Sequence, residues 1–213
     1  MAELMHVRPT KNNPWPQLEA ATEDGRRQRS DRSRRRIIEA LFDLISEGIM
    51  SPSAGMVAER AQVGERTVFR HFEDMDSIYD EMMQELTNAL MPEIVAPYKA
   101  THWRARLIEC LEKRANLYET IFPLRLCMIS RRFQSTFLSQ QYERDITLFR
   151  SSLKAILPPK ILSDADLFSA IESVLDFATW HHLRSDQKRS VDSAKRTLML
   201  MLKALIADID ADD

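Results

Sequence analysis

The chain has 213 residues, with 30 Lys and Arg against 32 Asp and Glu, a net charge of −2 and two cysteines. That near-neutral balance excludes a general nucleic-acid coat, and Cys110 and Cys127, which have no CxxC spacing, read as buried thiols of a reducing compartment rather than a disulfide framework. No apolar run is long enough to span a bilayer and the N-terminus lacks a signal-peptide core, so a cytoplasmic protein with no membrane partner is expected.

Only four glycines occur, among much Leu, Met, Ala, Glu and Arg. That composition favours helix nearly throughout, and there is no period-2 pattern and no internal repeat. The expected fold class is all-α. Residues 1–28, with Pro9, Pro14 and Pro16, read as a flexible arm. A first helix is expected from Ser30 or Asp31, burying Ile37, Ile38, Leu41, Phe42, Leu44 and Ile45, and ending at Glu47-Gly48 with Gly48 left-handed. Ser53 caps a second helix to about Ala61, and a third spans about Glu65 to His71. Asp74 caps a fourth, which carries Met75, Ile78, Tyr79, Met82, Met83, Leu86 and Leu90 towards Pro92. Pro92 and Pro97 mark a break. Further helices are expected over about 102–119, 122–131 and 134–157, stopped by Pro158-Pro159. Two more run from Asp164 to about Ser185, and from Ser190 or Asp192 to about Ile209.

Charge is unevenly distributed. Residues 26–36 hold seven arginines and one acid, Asp31, whereas residues 73–93 hold seven acids and no Lys or Arg. A basic end beside an acidic belt suggests a polyanion met at one end only. The second and third helices supply a matching device, a helix-turn-helix. Ala58 and Ala61 are small enough for a close helix crossing, and Val57, Val63, Val68 and Phe72 would share a core with the first helix. This leaves Glu65, Arg66, Thr67, Phe69, Arg70 and His71 for an outward surface. In a major groove about 12 Å wide, Arg can bind guanine O6 and N7 together, and Thr can meet a phosphate or a thymine methyl. Arg34, Arg35 and Ser53 complete the candidate contacts to double-stranded DNA. The competing reading of such a surface is a solvated charged face. The coincidence of small residues, turn, apolar anchors and upstream arginines favours DNA.

These residues resemble the tetracycline-repressor (TetR) family, whose members share an A-G-V-S turn followed by T-x-Y-x-[HY]-F. Here the corresponding residues are Ala61-Gln62-Val63-Gly64 and Thr67-Val68-Phe69-Arg70-His71-Phe72, within a match over about residues 31–83. Trp180-His181-His182-Leu183-Arg184 is similar to the end of the penultimate helix in many members. The resemblance implies a DNA-binding region over 29–84 and a larger ligand-binding and dimerisation domain over 85–213. It also implies a homodimeric, ligand-responsive transcriptional regulator, a repressor on a palindromic operator, with helix four as the lever. Four positions depart from the family pattern. Gln62 stands where glycine is usual, at a cost of about 1 kcal/mol for a left-handed residue. Gly64 replaces Ser and removes a side-chain cap. Phe69 replaces Tyr, and Met75 replaces a lysine, each removing a phosphate contact. The Arg26–Arg36 cluster can compensate along the phosphates or in a minor groove.

In the C-terminal part, Leu198, Met199, Leu200, Met201, Leu202, Leu205 and Ile206 cover more than one helix face. The excess fits a homodimer through the last two helices, the alternative being a helix at the centre of a monomeric bundle. Trp103, Leu107, Cys110, Tyr118, Met128, Phe149 and Trp180 are candidates to line a site for a small-molecule effector, although such stripes are commonly just core. Arg125, Arg131 and Arg132 suit an acidic ligand or plain solvation. His181 and His182 are adjacent and cannot chelate one metal, and neither cysteine has a zinc spacing. No phosphate loop, nucleophile elbow or other catalytic set is visible, so no catalytic residue, metal or cofactor is expected and the chain reads as a non-enzyme. An all-helical adaptor with a basic arm for RNA or an acidic protein is the competing function.

Overall fold

The computed structural model describes residues 25–209, with side chains from Arg29 onward. Among them are ten α-helices, one π-helical segment and no strand, so the fold is all-helical as its composition requires. The arm expected over residues 1–28 lies outside the described residues as far as residue 24, and so do the side chains of Arg26 and Arg27.

The first four helices are α1 (Gly25–Ser46), α2 (Ala54–Arg60), α3 (Glu65–His71) and α4 (Met75–Ile94). α1 already runs at Gly25, ahead of the expected start, and Ser30 and Asp31 lie inside it. Arginine is among the better helix formers, so the basic run extends the helix instead of preceding it. The expected caps form at the starts of α2 and α4. Ser53 Oγ accepts from the Met56 N–H at 3.3 Å. Asp74 and Ser77 exchange bonds in a capping box, Ser77 N–H to Asp74 Oδ1 at 2.8 Å and Asp74 N–H to Ser77 Oγ at 3.2 Å.

Two helix ends close in the same way. After α1, the Ile49 N–H bonds the Leu44 carbonyl at 3.0 Å and the Gly48 N–H bonds Ile45 at 2.9 Å, with Gly48 at φ 92°. After α2, the Val63 N–H bonds Ala58 at 3.0 Å and the Gln62 N–H bonds Glu59 at 3.1 Å, with Gln62 at φ 54°. Both are Schellman motifs, whose left-handed residue is normally glycine. Gln62 adopts that conformation with a Cβ, so the turn stores the strain expected from its departure.

The helices divide between two compact bodies. The first comprises residues up to 95 together with 120–142. Its core joins Ile37, Ile38, Leu41 and Ile45 of α1 to Val57, Val68, Phe72, Ile78 and Met82, and to Leu124, Met128 and Leu138 from the chain beyond. The second body comprises 96–119 and 143 onward. It centres on Leu107, Leu111, Tyr118, Ile171, Phe177 and Trp180.

Later elements depart from the sequence pattern in two places. α5 (Trp103–Arg131) is one helix where two are expected, with Pro123 inside it. Proline removes only one N–H there, the partner of the Glu119 carbonyl, and a helix tolerates that roughly 3 kcal/mol loss when Leu124, Cys127 and Met128 are buried around it. After α6 (Thr136–Lys154) and α7 (Pro159–Ser163), the single helix expected from Asp164 to about Ser185 is interrupted. It forms α8 (Ala165–Val174), α9 (Phe177–His181) and a π-helical segment, His182–Asp186. Asp176 caps α9, accepting from the Ala178 N–H at 2.8 Å. The Leu175 carbonyl instead accepts from Tyr118 Oη at 2.9 Å and from Arg114 at 3.3 Å. A short polar side chain and a buried tyrosine thus outcompete helix continuation. Ser190 caps α10 (Val191–Leu205).

Gln62→Gly relieves about 1–2 kcal/mol of left-handed strain against a smaller gain in unfolded-chain entropy. The net expectation is about 0.5–1 kcal/mol of added stability, read as a higher denaturation midpoint at unchanged slope.

Candidate nucleic-acid interface

A seven-residue helix has no stability of its own, so α3 must be held by its neighbours. Its inner face supplies the first hold. Val57 and Val68 are fully buried, Phe72 nearly so, and Ala58 and Ala61 lie in the same core. Val63 packs against that core, half-buried. At 100° per residue, Arg66 and Arg70 lie opposite Val68, Glu65 and Phe69 form one flank, and Thr67 lies on the other. Glu65, Arg66 and Arg70 are exposed, Thr67 is half-buried and the Phe69 ring is 50% exposed. Neither Arg66 nor Arg70 is paired with an acid among the described residues.

The second hold is Arg34. Its Nε donates to both carboxylate oxygens of Glu81 at 2.8 Å, and one terminal nitrogen donates to Glu81 as well. The other terminal nitrogen donates to the carbonyl of His71, the last residue of α3. The guanidinium also lies 4.3 Å from the centre of the Phe72 ring. A single planar fork thereby ties α1 to the C-terminal end of α3 and to α4. That end exposes unpaired carbonyls and partial negative charge, which a cation complements. The pair is 47 positions apart, and the acid-rich run over 73–93 is its only sign in the sequence.

Other candidate contacts fall into place around this clamp. Arg35 pairs with Glu39 at 2.8 Å on the same helix. Ser53 spends its hydroxyl on the α2 cap. Arg60, at the end of α2, forks onto Glu47 at 2.8 and 2.6 Å. Arg32 and Arg36 are exposed on α1. Thus the basic run splits between side chains engaged in internal pairing and side chains turned to solvent.

His71 is half-buried, and its Nε2 is buried with no hydrogen-bond partner. Burial, then the charges of Arg70 and Arg34, hold its pKa below the ordinary imidazole value. The neutral ring is therefore the form that fits this site.

The seven residues named for an effector site divide between the two bodies. Met128 belongs to the first core. In the second body, Leu107, Cys110, Tyr118 and Trp180 are buried, while Trp103 and Phe149 are half-buried. Tyr118 meets Phe149 and Phe177 edge-on, with ring centres 6.1 and 5.4 Å apart. Trp180 Nε1 donates to Glu119 at 2.9 Å, and Arg184 Nε donates to the same carboxylate at 2.8 Å. Arg125 is buried with its guanidinium 4.7 Å from the Tyr142 ring centre, Arg132 lies 4.0 Å from the same centre, and Arg131 donates to Ser51. An open cavity of about 490 Å³ lies between α8 and α10, lined by Ala170, Val174, Met201, Ala204 and Leu205 among others. None of the seven lines it. No group of described residues is arranged to hold a metal, and no described helix is long and apolar enough to cross a membrane.

No family model and no curated protein matches the chain. It is similar in structure to a transcriptional regulator from Rhodococcus sp. Rha1, with a TM-score of 0.59 over 82% of this chain and 96% of that one. The likeness is one of fold. At 18% identity it establishes a shared all-helical architecture.

Two outcomes test the clamp. Arg34→Ala removes the fork and the ring contact together and is expected to cost about 1–2 kcal/mol in chemical denaturation, and Glu81→Gln somewhat less. Because the folded-state pKa of His71 is depressed, its contribution to stability is complete above the ordinary value of 6.5 and is lost as pH falls below it. Stability measured across that range should fall more steeply for the native chain than for His71→Gln.

Proposed function

We propose that this protein is a homodimeric, ligand-responsive transcriptional regulator, a repressor resembling the TetR family, that binds a palindromic operator through α3. The observation that carries the reading is the outward face of α3. It sets two arginines without acidic partners beside an exposed aromatic ring, on a helix whose inner face and C-terminal end are both fixed. A fixed helix with a free cationic face is what reading base edges in a groove demands.

In this reading residues 29–84 make the DNA contacts. Arg66 and Arg70 meet guanine edges or phosphates, and Thr67 and the exposed arginines of α1 meet the backbone. Arg34 acts as a positioning residue that fixes α3 and leaves phosphate contact to its neighbours. The C-terminal region supplies the dimer and the effector site. Support for the dimer comes from Leu200 and Met201, which are 70% and 40% exposed on α10, and from the apolar cavity between α8 and α10. A two-fold axis through that surface would place two copies of α3 about 34 Å apart, one turn of DNA. An effector taken up among the aromatic side chains of the second body would then change the spacing of the two reading helices. A coupling of about 1–3 kcal/mol suffices for release.

The test is the preference for a selected palindrome over random duplex. Arg66→Ala or Arg70→Ala should lower it by about 1–3 kcal/mol. Full preference in both variants would remove these residues from the reading surface. A native chain that selects no sequence would leave the helical adaptor as the better reading.

A further inference from the structure

We propose that Phe69 is a specificity residue that reads thymine, packing its ring against the C5-methyl group in the major groove. The proposal rests on the helix-turn-helix reading of α3 and goes beyond it by naming a base.

The starting point is a phenyl ring left half in water on a very short helix, 50% exposed. The packing of α3 does not need it there, because Val68 and Phe72 already fill the core behind the helix. A single exposed apolar side chain is ordinary on a protein surface, so exposure alone says little; what singles out Phe69 is its place beside two arginines on the outward face of α3. These neighbours determine what can cover it. Arg66 and Arg70 lie beside it on one side, both exposed and neither paired with an acid among the described residues. An apolar protein surface covering the ring would also bury those two guanidinium groups without counter-charges, which is costly. A polyanion supplies the counter-charges with the contact, so the surface is matched to a nucleic-acid duplex.

Within a duplex, the chemistry of the ring narrows the choice again. Phenyl has no hydrogen-bond donor or acceptor, so it cannot bind a phosphate as the tyrosine of the family pattern would. It also cannot read the polar edges of guanine, adenine or cytosine. The one apolar feature on the major-groove edge of the bases is the thymine methyl, and phenylalanine is among the side chains that meet it. On the same flank as the ring, the Glu65 side chain is exposed and its carboxylate would be repelled by phosphates, which favours placing this side of α3 over the bases. Glu65 and Arg66 then bracket the methyl contact with groups suited to cytosine N4 and to guanine. The half-site this predicts has a thymine flanked by G·C pairs.

The experiment uses the full-length protein and duplexes selected by it from a random library. Each thymine of the selected site is replaced singly by deoxyuridine, which removes only the methyl group. Native protein should bind about four-fold more weakly at the contacted position, the amount expected for one buried methyl group. Phe69→Ala and Phe69→Gln, each shown by circular dichroism to be folded, should bind the parent duplex more weakly and lose the deoxyuridine penalty at that position alone. Phe69→Tyr should keep it. If deoxyuridine costs nothing at any thymine, or costs native protein and both variants alike, Phe69 does not read thymine, even though the helix-turn-helix reading survives. If native protein enriches no sequence at all, that reading and this proposal fall together.

Discussion

A planar fork of hydrogen bonds from Arg34 joins the C-terminal end of α3 to α1 and α4. A helix of seven residues contributes too few backbone bonds to stay folded alone, and its N-terminal end, capped by Gly64, receives no side-chain bond. Stability has to come from the inner face and from the far end. Val68 and Phe72 provide the first, and Arg34 provides the second by joining the His71 carbonyl to the Glu81 carboxylate. The same guanidinium lies against Phe72, so the apolar hold and the polar hold are one assembly.

This arrangement divides the cations of the first body by role. Arg34, Arg35 and Arg60 are matched with Glu81, Glu39 and Glu47. Arg66 and Arg70 have no such match among the described residues. A net charge near zero is therefore compatible with a local positive surface, because the acids neutralise the cations that hold the fold and leave those on the outward face of α3 unmatched. The structure also gives Phe69 a setting that composition could not: a ring raised between unpaired arginines and a carboxylate.

Much of this was legible from periodicity and caps. The apolar stripe of α1, the small residues Ala58 and Ala61, the Ser53 and Asp74 caps and the left-handed Gly48 all follow local rules, and all appear as the residues require. Gln62 was legible only through the family pattern, since no intrinsic preference places glutamine at φ 54°. What could not be read locally were the outcomes decided by distant partners. Pro123 stays inside a helix because of what α5 buries, and the helix after Asp164 breaks where Tyr118 and Arg114 capture the Leu175 carbonyl. The Arg34–Glu81 pair is of the same kind: both side chains are unremarkable in sequence and become a clamp only when α1 and α4 pack. The interior aromatic residues show the converse limit. Helical spacing marks Tyr118 and Trp180 as inward but does not say whether inward means core or ligand, and their hydrogen bonds to Leu175 and Glu119 tie them to the packing of the second body.

The proposed function requires α3, so held, to enter the major groove. Methylation interference on a duplex selected by the native protein tests this most directly, because guanine N7 methylation blocks the major groove and adenine N3 methylation blocks the minor. Loss of binding from N7 methylation in two clusters about one helical turn apart is the expected result. Binding indifferent to N7 methylation, or blocked only from the minor groove, would contradict it.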